Sequence, residues 1–579
     1  MRNDGRPVDT AVLTDLADAM AHRGPDGRGC HVAGTVGLVQ TRLAIIDLAN
    51  GTQPFHHAEG GLSLVANGEI YNYLELRAGL GTIPFASQSD CEPPLYLYHR
   101  QGLSFTHALR GMYAIAIHDR HGPRERLVLA RDPFGIKPLY YAETAMGFVF
   151  ASEPCALIAA GMVRPRLDPR RAVELLQLQF TTGTQCLLAG IKRVAPGETV
   201  VVEGGRVVAR HHQPALPAVA DSPEPRDPVA ALDRVLREAV AMHQRSDVPY
   251  GMFLSGGVDS SALLAMMARL NERPVLTFTA YFPDTDARDE RAFARAVAAA
   301  AGAESVDVPF TEADFWTLLP DVVTALDDPA ADYATVPTYK LAREARKAVK
   351  VILSGEGGDE VFAGYGRYRG AMRPWPFTRP LRRKGILDGF GLWRQEPTGW
   401  REGIAAAERV AHRGSRLQRA QSLDCADWLP NDLLGKLDRC LMAHGVEGRV
   451  PFLDLVLARF AYGLPDAYKI RRGVGKWLLR RWLAEALPAA RPFVPKRGFT
   501  VPVGSWIARR GRALGPLVAR VPAIAEWCSP VAVEALFAAA DHGPHAGLAA
   551  WVLLFHALWV RRHVEGVGAH GDVFALLEA

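Results

Sequence analysis

Tyr250-Gly251-Met252-Phe253-Leu254 runs directly into Ser255-Gly256-Gly257-Val258-Asp259-Ser260-Ser261, and residues 262–270 then read as a helix. An apolar strand that ends in a small-residue loop and opens a helix gathers backbone N–H groups and the positive end of the helix dipole on one spot, which suits phosphate oxygens. Glycine permits close backbone approach, the Ser255 and Ser260 hydroxyls can donate, and Asp259 can hold a magnesium ion. The lysine of a G-x-x-x-x-G-K-[ST] loop is absent. Read alone, the stretch also describes a Gly-Gly turn before a serine-capped helix. A second stretch weighs against that: residues 349–353 are strand-like and lead into Ser354-Gly355-Glu356-Gly357-Gly358-Asp359-Glu360. Two such strand ends, roughly 100 residues apart, are what a doubly wound sheet presents at its ligand crevice. Asp259 and Asp359 are then expected to share magnesium against a polyphosphate. The plainer reading of Glu356 and Glu360 is a solvated acidic helix start.

Around this centre, helical runs at 229–244, 261–270 and 290–301 alternate with apolar strands at 250–254, 275–280 and 349–353, the texture of parallel βαβ units. Beyond about residue 381 the chain reads as almost wholly helical. Before it, from 36 to about 207, short apolar runs at 36–39, 62–66, 114–117 and 148–151 are punctuated by Gly, Pro, Asn and Asp, with helices at 12–21, 73–78 and 93–100. This half reads as a layered α+β domain. The proline-dense stretch 208–228 is the expected linker between a domain of residues 1–207 and one of 229–579.

The chain has 579 residues, 49% of them hydrophobic, with 67 Lys plus Arg against 62 Asp plus Glu. A net +5 is too dilute to argue for nucleic acid or an anionic membrane, so phosphate binding must be local. The seven cysteines are scattered and form no C-x-x-C pair, which suits a reducing cytosol and a cytoplasmic location. No secretory signal is visible, and the most apolar run, 546–560, is too short for a bilayer and contains His556, so a buried helix is expected.

The motifs closely resemble the glutamine-dependent asparagine synthetase family over nearly the whole chain. Ser255 to Ser260 is similar to the pyrophosphate loop of enzymes that split ATP into AMP and pyrophosphate, and Ser354 to Tyr365 to a second family signature, S-G-E-G-x-D-E-x-F-x-G-Y. Further matches are Pro337-Thr338-Tyr339 after Asp327-Asp328-Pro329, then Lys436, Asp438, Arg439, Met442, Ala443, Glu447, the Arg449 to Asp454 run, Lys476, and Lys496 to Phe499. The first half resembles the family's N-terminal-nucleophile glutaminase domain, a four-layer α/β/β/α sandwich, through His22 to Asp26, Arg42 to Asp47, Asn67 to Asn72, Ser89-Asp90 and Arg131 to Pro138. The expected architecture is therefore that sandwich followed by a parallel-sheet nucleotide-binding domain with a mostly helical C-terminal part.

By this resemblance Arg42 would bind the glutamine α-carboxylate, Glu69 and Asp90 its amino group, and Asn67 with Gly68 the oxyanion. Asn67-Gly68 is also a strong hairpin-turn dipeptide. Leu254, Ala280, Ser354 and Gly355 would line the AMP pocket beside Ser255, Gly256, Gly257, Asp259 and Ser260. Lys476 would stabilise charge on the phosphates, Asp259 and Asp359 would hold Mg2+, and Glu356 would take the proton from the attacking amine. The implied reaction is ATP-dependent adenylation of the aspartate side chain and its amidation by glutamine-derived ammonia, giving asparagine, glutamate, AMP and pyrophosphate. Glutamate at position 356 separates the chain from relatives that close β-lactam rings and carry tyrosine there. Two departures leave the acceptor open: Asp328, where many relatives have Glu, and Gly445, where they usually have Ser. A cell-wall, exopolysaccharide or natural-product carboxylate, an ammonia-only synthetase, and a non-catalytic nucleotide or glutamine sensor are the alternatives. Small-molecule substrates are expected and nucleic-acid or membrane partners are not, with a homodimer one option.

The family's nucleophile is a cysteine directly after the initiator Met, whereas this sequence reads Met1-Arg2-Asn3-Asp4-Gly5. Either the start is assigned several residues late, since Asp4 to Pro7 would normally follow a strand, or the glutaminase is inactive. Cys30 and Cys91 are the nearest substitutes, but both stand in segments the family uses structurally.

Overall fold

The computed structural model describes residues 1–217, 225–283, 291–373, 380–410, 414–494, 501–568 and 571–579. In the first half, a six-stranded antiparallel sheet runs in the order Arg206–His212, Glu198–Glu203, Arg126–Arg131, Gly111–Asp119, Leu62–Ile70 and Phe55–His56. Strand alternation sorts its side chains into two layers. Val65, Ala114, Ala116, Leu127 and Leu129 meet Leu38, Tyr141 and Phe148 of a second layer, which comprises the hairpin Gly27–Ala33/Val36–Arg42 and a three-stranded sheet through Tyr140–Thr144. Leu64, Tyr113, Ile115 and Ile117 face the other way, against Leu95 and Phe105 of the Pro93–Gln101 region. The helices Thr10–Ala19, Pro154–Ala159 and Pro169–Leu178 cover the second layer's outer side, completing an α/β/β/α stack.

The expected helices form as Thr10–Ala19, Tyr73–Leu80 and Pro93–Gln101. The strand Arg206–His212 continues past residue 207, pairing His212 with Glu198, and the next helix, Pro228–His243, is capped by Asp227. Residues 218–224, inside the expected linker, lie outside the described residues.

The second half is built on a five-stranded parallel sheet ordered Glu304–Pro309, Leu276–Tyr281, Tyr250–Phe253, Val351–Leu353, Glu447–Arg449. Strand order reverses between Tyr250–Phe253 and Val351–Leu353, and such a switch point opens a crevice beyond the strands' C-terminal ends. Both small-residue loops leave from that point. The apolar run near the C-terminus forms the helix Pro544–His563, buried from Ala549 to Val560. Its Trp551 and Trp559 indoles each donate at 2.8 Å to the carbonyls of Ala331 and Leu326, bracing the segment that carries Asp327, Asp328 and Asp332. Among the described residues no helix is long and apolar enough to cross a membrane.

Candidate functional site

The two strand-end loops touch. A Cβ placed on Gly358 would lie 2.4 Å from Asp259 Oδ1, and one on Gly355 would lie 3.0 Å from Asp259 Cβ and 3.1 Å from Ser260 N. After Phe253 the backbone is pinned by Leu254 N–H on Phe278 O at 3.0 Å and by Thr279 Oγ1 on Leu254 O at 2.8 Å, with Ala280 next on the same neighbouring strand. Gly256 turns the chain with φ +66°, a conformation that favours glycine. Gly257 caps the helix Val258–Leu270, so the loop sits at the positive end of a 13-residue helix. Ser255 Oγ lies 3.1 Å from Ser260 Oγ and accepts from Gly257 N–H at 3.2 Å, which fixes both hydroxyls toward the loop. Ser354 is buried, its N–H on Arg449 O at 2.8 Å.

Lys476 closes this crevice from the helix Trp477–Ala486. Its ammonium bridges Asp259 and Asp359, with Nζ 2.7 Å from Asp359 Oδ1. Burial opposes its charge, yet the two aspartates together hold Lys476 above the ordinary lysine value. Burial raises Asp259, against the pull of Lys476. Asp259 Oδ1 is buried with no hydrogen-bond partner among the described residues, an orphaned hard-oxygen donor of the kind that suits Mg2+.

Glu356 faces the same crevice. Burial raises its carboxyl, Lys436 opposes that, and Asp332, Asp359 and Asp259 reinforce it. Lys436 Nζ is 2.7 Å from Asp332 Oδ2. Beyond it both oxygens of buried Asp432 lack a partner among the described residues, and burial with the nearby Asp332 pushes its carboxyl up to about 8. Arg382, stacked 3.8 Å over Trp428, has an Nη2 without a hydrogen bond among the described residues. Glu360 is not the solvated helix start that its position suggests. It is buried behind Tyr365, whose hydroxyl donates to it at 2.8 Å.

The glutamine-side residues gather around a cavity of about 140 Å3 lined by Arg42, Asn67, Gly68, Glu69, Asp90 and Cys91, among others. Asn67-Gly68 lies inside the strand Leu62–Ile70, so the hairpin alternative does not form. Gly68 has φ +150°, and a Cβ there would fall 2.0 Å from Met112 O on the paired strand. Asn67 Nδ2 donates to Ser152 Oγ at 3.3 Å. Arg42 donates to the carbonyls of Leu48 and Ile46, each at 3.2 Å, and to that of Asp47 at 2.5 Å, so its guanidinium is held by backbone in this state. Asp90 accepts from Ile70 N–H at 2.7 Å, and burial pushes its carboxyl up to about 6. Burial and then Asp90 raise Glu69, which pairs with Arg449 at 3.1 Å.

Neither cysteine singled out as a substitute nucleophile is prepared for that role. Cys91 reaches the cavity, but burial, Asp90 and Glu69 push its thiol well up, and Sγ donates to Gly68 O and Asp90 Oδ2, both at 3.4 Å. A thiol held protonated is a poor nucleophile. Cys30 is exposed on the strand Gly27–Ala33, outside the cavity lining.

Sequence reasoning missed the charged seam that joins the halves. Arg449 is fully buried. Its side chain takes Glu69 and Glu447 and donates to His243 O at 3.0 Å and Arg245 O at 2.6 Å, while its own carbonyl receives Ser354 N–H. Arg23 spans Glu153 and Asp438 at 2.7 and 2.8 Å, and Arg439 pairs with Asp327 at 2.9 Å. Asp328 belongs to this seam, held by Arg193 at 2.6 Å and the Tyr140 hydroxyl at 2.7 Å. Gly445, with φ +60°, packs against Pro25 of the other half. Both departures noted in the sequence therefore fall at the domain boundary. The segment holding Lys496 lies outside the described residues.

Comparison with known proteins accords with this geometry. The family models for asparagine synthase and for a glutamine amidotransferase domain match residues 231–561 and 3–213. A putative glutamine-hydrolyzing asparagine synthetase of Mycobacterium tuberculosis is 36% identical over 567 residues, covering 87% of this chain and 86% of that protein. Asparagine synthetase 1 of Bacillus subtilis is 32% identical over 540 residues, covering 86% and 84%. Amidase chry2 of Gibberella zeae is 28% identical over 593 residues, covering 88% and 86%.

Proposed function

Because the chain belongs to the asparagine synthetase family, a group of glutamine-dependent carbon–nitrogen ligases, we propose that it forms asparagine by activating the side-chain carboxylate of aspartate with ATP. A carboxylate does not condense with ammonia because oxide is a poor leaving group. Here a carboxylate oxygen attacks the α-phosphate of ATP and pyrophosphate leaves. Ammonia then attacks the acyl carbon and AMP departs with that oxygen. Where glutamine supplies the nitrogen, its side-chain amide is hydrolysed by water to glutamate and ammonia through a nucleophile that neither Cys30 nor Cys91 provides; free ammonia enters the same step directly.

The observation that carries this reading is the meeting of the two loops at the sheet's switch point, with Lys476 between Asp259 and Asp359 and Glu356 beside them. The loop 255–260 cradles the phosphates through backbone N–H groups and the two serine hydroxyls, with Leu254, Ala280, Ser354 and Gly355 around the nucleoside. Lys476 meets charge as it shifts onto the phosphate oxygens. Asp259 and Asp359 would hold Mg2+, which when bound supplies positive charge against the pyrophosphate. Glu356 accepts the proton from the attacking nitrogen. Its raised affinity for protons makes it a better acceptor than a solvated carboxylate, and its turnover-competent form is favoured as pH rises. The unpartnered Asp432 carboxyl beyond Lys436 suits the α-ammonium of an amino acid acceptor, and Arg382, whose Nη2 lies 3.8 Å from Asp424, would turn to its α-carboxylate. On the glutamine side, Asn67 and Gly68 would serve as oxyanion donors once Asn67 Nδ2 leaves Ser152, Glu69 and Asp90 would take the amino group, and Arg42 would turn from its carbonyls to the α-carboxylate.

A second acceptor is kept for one reason. The relative from Gibberella zeae, similar across the same span, is an amidase. Pyrophosphate release is the discriminating measurement, with ammonium as nitrogen donor and aspartate set against a panel of other carboxylates. Aspartate alone should drive release. Glu356→Gln should abolish amide formation while ATP binding survives. Wild-type turnover in that variant would remove the proton-accepting role, and release driven only by another carboxylate would replace aspartate.

A further inference from the structure

A separate cluster of side chains stands on the amidotransferase half, outside the lining of the glutamine-side cavity. His57 and Glu59 occupy the turn between the strands Phe55–His56 and Leu62–Ile70. His99 is on the last turn of the helix Pro93–Gln101, and His121 follows the strand Gly111–Asp119. Ring centroids are 4.2 Å apart for His57 and His99, 5.5 Å for His99 and His121, and 6.3 Å for His57 and His121. Ligand-capable atoms of His57, Glu59 and His99 all lie within 4.8 Å of one another, with His99 Nε2 4.0 Å from Glu59 Oε2.

The backbone is shaped around this cluster. Gly60 and Gly61 both take positive φ, at +80° and +77°, and a Cβ on Gly61 would lie 2.4 Å from the His121 ring. Gly61 O receives Arg120 N–H at 2.8 Å, which holds the turn beside the corner that carries His121. Tyr96, one helical turn before His99, packs its ring 4.9 Å from His57. His57 Nδ1 accepts only a long 3.3 Å bond from Glu59 N–H, a hold that a metal–imidazole bond exceeds.

Three imidazoles and one carboxylate form a donor set for a borderline divalent cation, whereas hard cations prefer oxygen alone. We propose that His57, His99, His121 and Glu59 bind one Zn2+, or a similar ion, and thereby clamp the 57–61 turn to the helix and to the 119–121 corner. Ligands around a tetrahedral Zn2+ at about 2.0–2.1 Å stand about 3.3 Å apart, so the donors must close by an ångström or more. The side chains that have to move are free to do so: Glu59 is 76% and His99 38% exposed. The other convergent group, Glu153, Cys155 and Asp327, already has cations in Arg23 and Arg439.

The test uses the full chain stripped with EDTA, then titrated with Zn2+ against a chromophoric chelator and with Co2+ by visible absorption. We expect one Zn2+ per chain, intense tetrahedral Co2+ absorption, and a rise in Tm on adding Zn2+. His99→Gln should weaken Zn2+ more than about 100-fold, beyond the loss from altering a group outside the coordination sphere, and should cancel the Tm rise. His31→Ala, in the neighbouring His31/His56/His118 group, should change neither. The metal-free Tm of His99→Gln, a surface change, confirms that the variant folds. Absence of stoichiometric Zn2+ binding, or equal affinity in His99→Gln and wild type, overturns the site.

Discussion

Replacing Lys476 by methionine keeps the side chain's length and removes its charge. The site is tight: a Cβ on Gly364 would meet Lys476 Cε at 2.2 Å, and Lys476 N–H is tied to Phe362 O at 3.2 Å, so a shape-conserving change is needed. Without the ammonium, Asp259 and Asp359 face each other with no cation between them. Removing one partner of a buried ion pair costs about 3–5 kcal/mol. Asp359 is 36% exposed and keeps its hydration, while Asp259 is only 15% exposed, so the penalty falls mainly on Asp259. The low end, about 3 kcal/mol, is therefore expected, or a Tm lowered by roughly 2–4 °C for a unit of this length. Adding Asp259→Asn removes the orphaned charge and should restore most of that stability, a strongly non-additive pair. Turnover should behave differently. Lys476→Met should lower pyrophosphate release with aspartate and ammonium by about 10²–10³, and the double variant should recover none of it. Thermal denaturation and the pyrophosphate assay on the same preparations separate the two effects. Near wild-type turnover in Lys476→Met, or a double variant no more stable than the single one, would refute the assigned charge arrangement.

Gly358→Ala tests the contact between the loops. Gly358, unlike Gly357, has no positive φ, so the added methyl acts only by striking Asp259 Oδ1 at 2.4 Å. ATP affinity should fall about 10-fold or more, roughly 1.4 kcal/mol, with glutamine affinity unchanged; calorimetry with each ligand checks both. Glu360→Gln tests a buried acid. Burial, then Asp359, pushes the Glu360 carboxyl from 4.5 up to about 8, so between those values the folded chain keeps a proton that the unfolded chain loses. This contribution is fully present below pH 4.5 and makes stability fall as pH rises toward 8, at about 1.4 kcal/mol per unit. The variant should show a shallower fall in denaturant titrations across that window; identical slopes would mean that Glu360 ionises normally.

What could be read from the sequence follows from how each element is stabilised. The strands Tyr250–Phe253 and Leu276–Tyr281 are apolar runs, and the loops after Phe253 and Leu353 carry the small residues that their close contact demands, so the crevice was legible. The strand Arg206–His212 was not. It is an edge with mostly exposed, polar side chains, and hydrophobic patterning has nothing to register there. Glu447–Arg449 escaped for the opposite reason. It is wholly buried yet reads Glu-Gly-Arg, because parallel pairing to Val351–Leu353 holds its backbone while Lys137, Glu69 and its own Arg449 neutralise its charges. Burial of ions compensated across a domain boundary leaves no periodicity in either partner.

That hidden strand brings the two candidate sites into contact. Arg449 sits at the end of the sheet's last strand, its carbonyl receiving the N–H of Ser354 in the nucleotide loop, while its guanidinium holds Glu69 at the wall of the glutamine-side cavity. If Glu69 binds the amino group of glutamine as proposed, that ligand competes with Arg449, a buried guanidinium whose Nη2 faces Glu69 at 3.1 Å as an ion pair and has no other partner among the described residues. Within the seam, Arg449 is the residue whose backbone borders the 354–360 loop and whose side chain borders the cavity of the other half, so a ligand that shifts either contact acts on both.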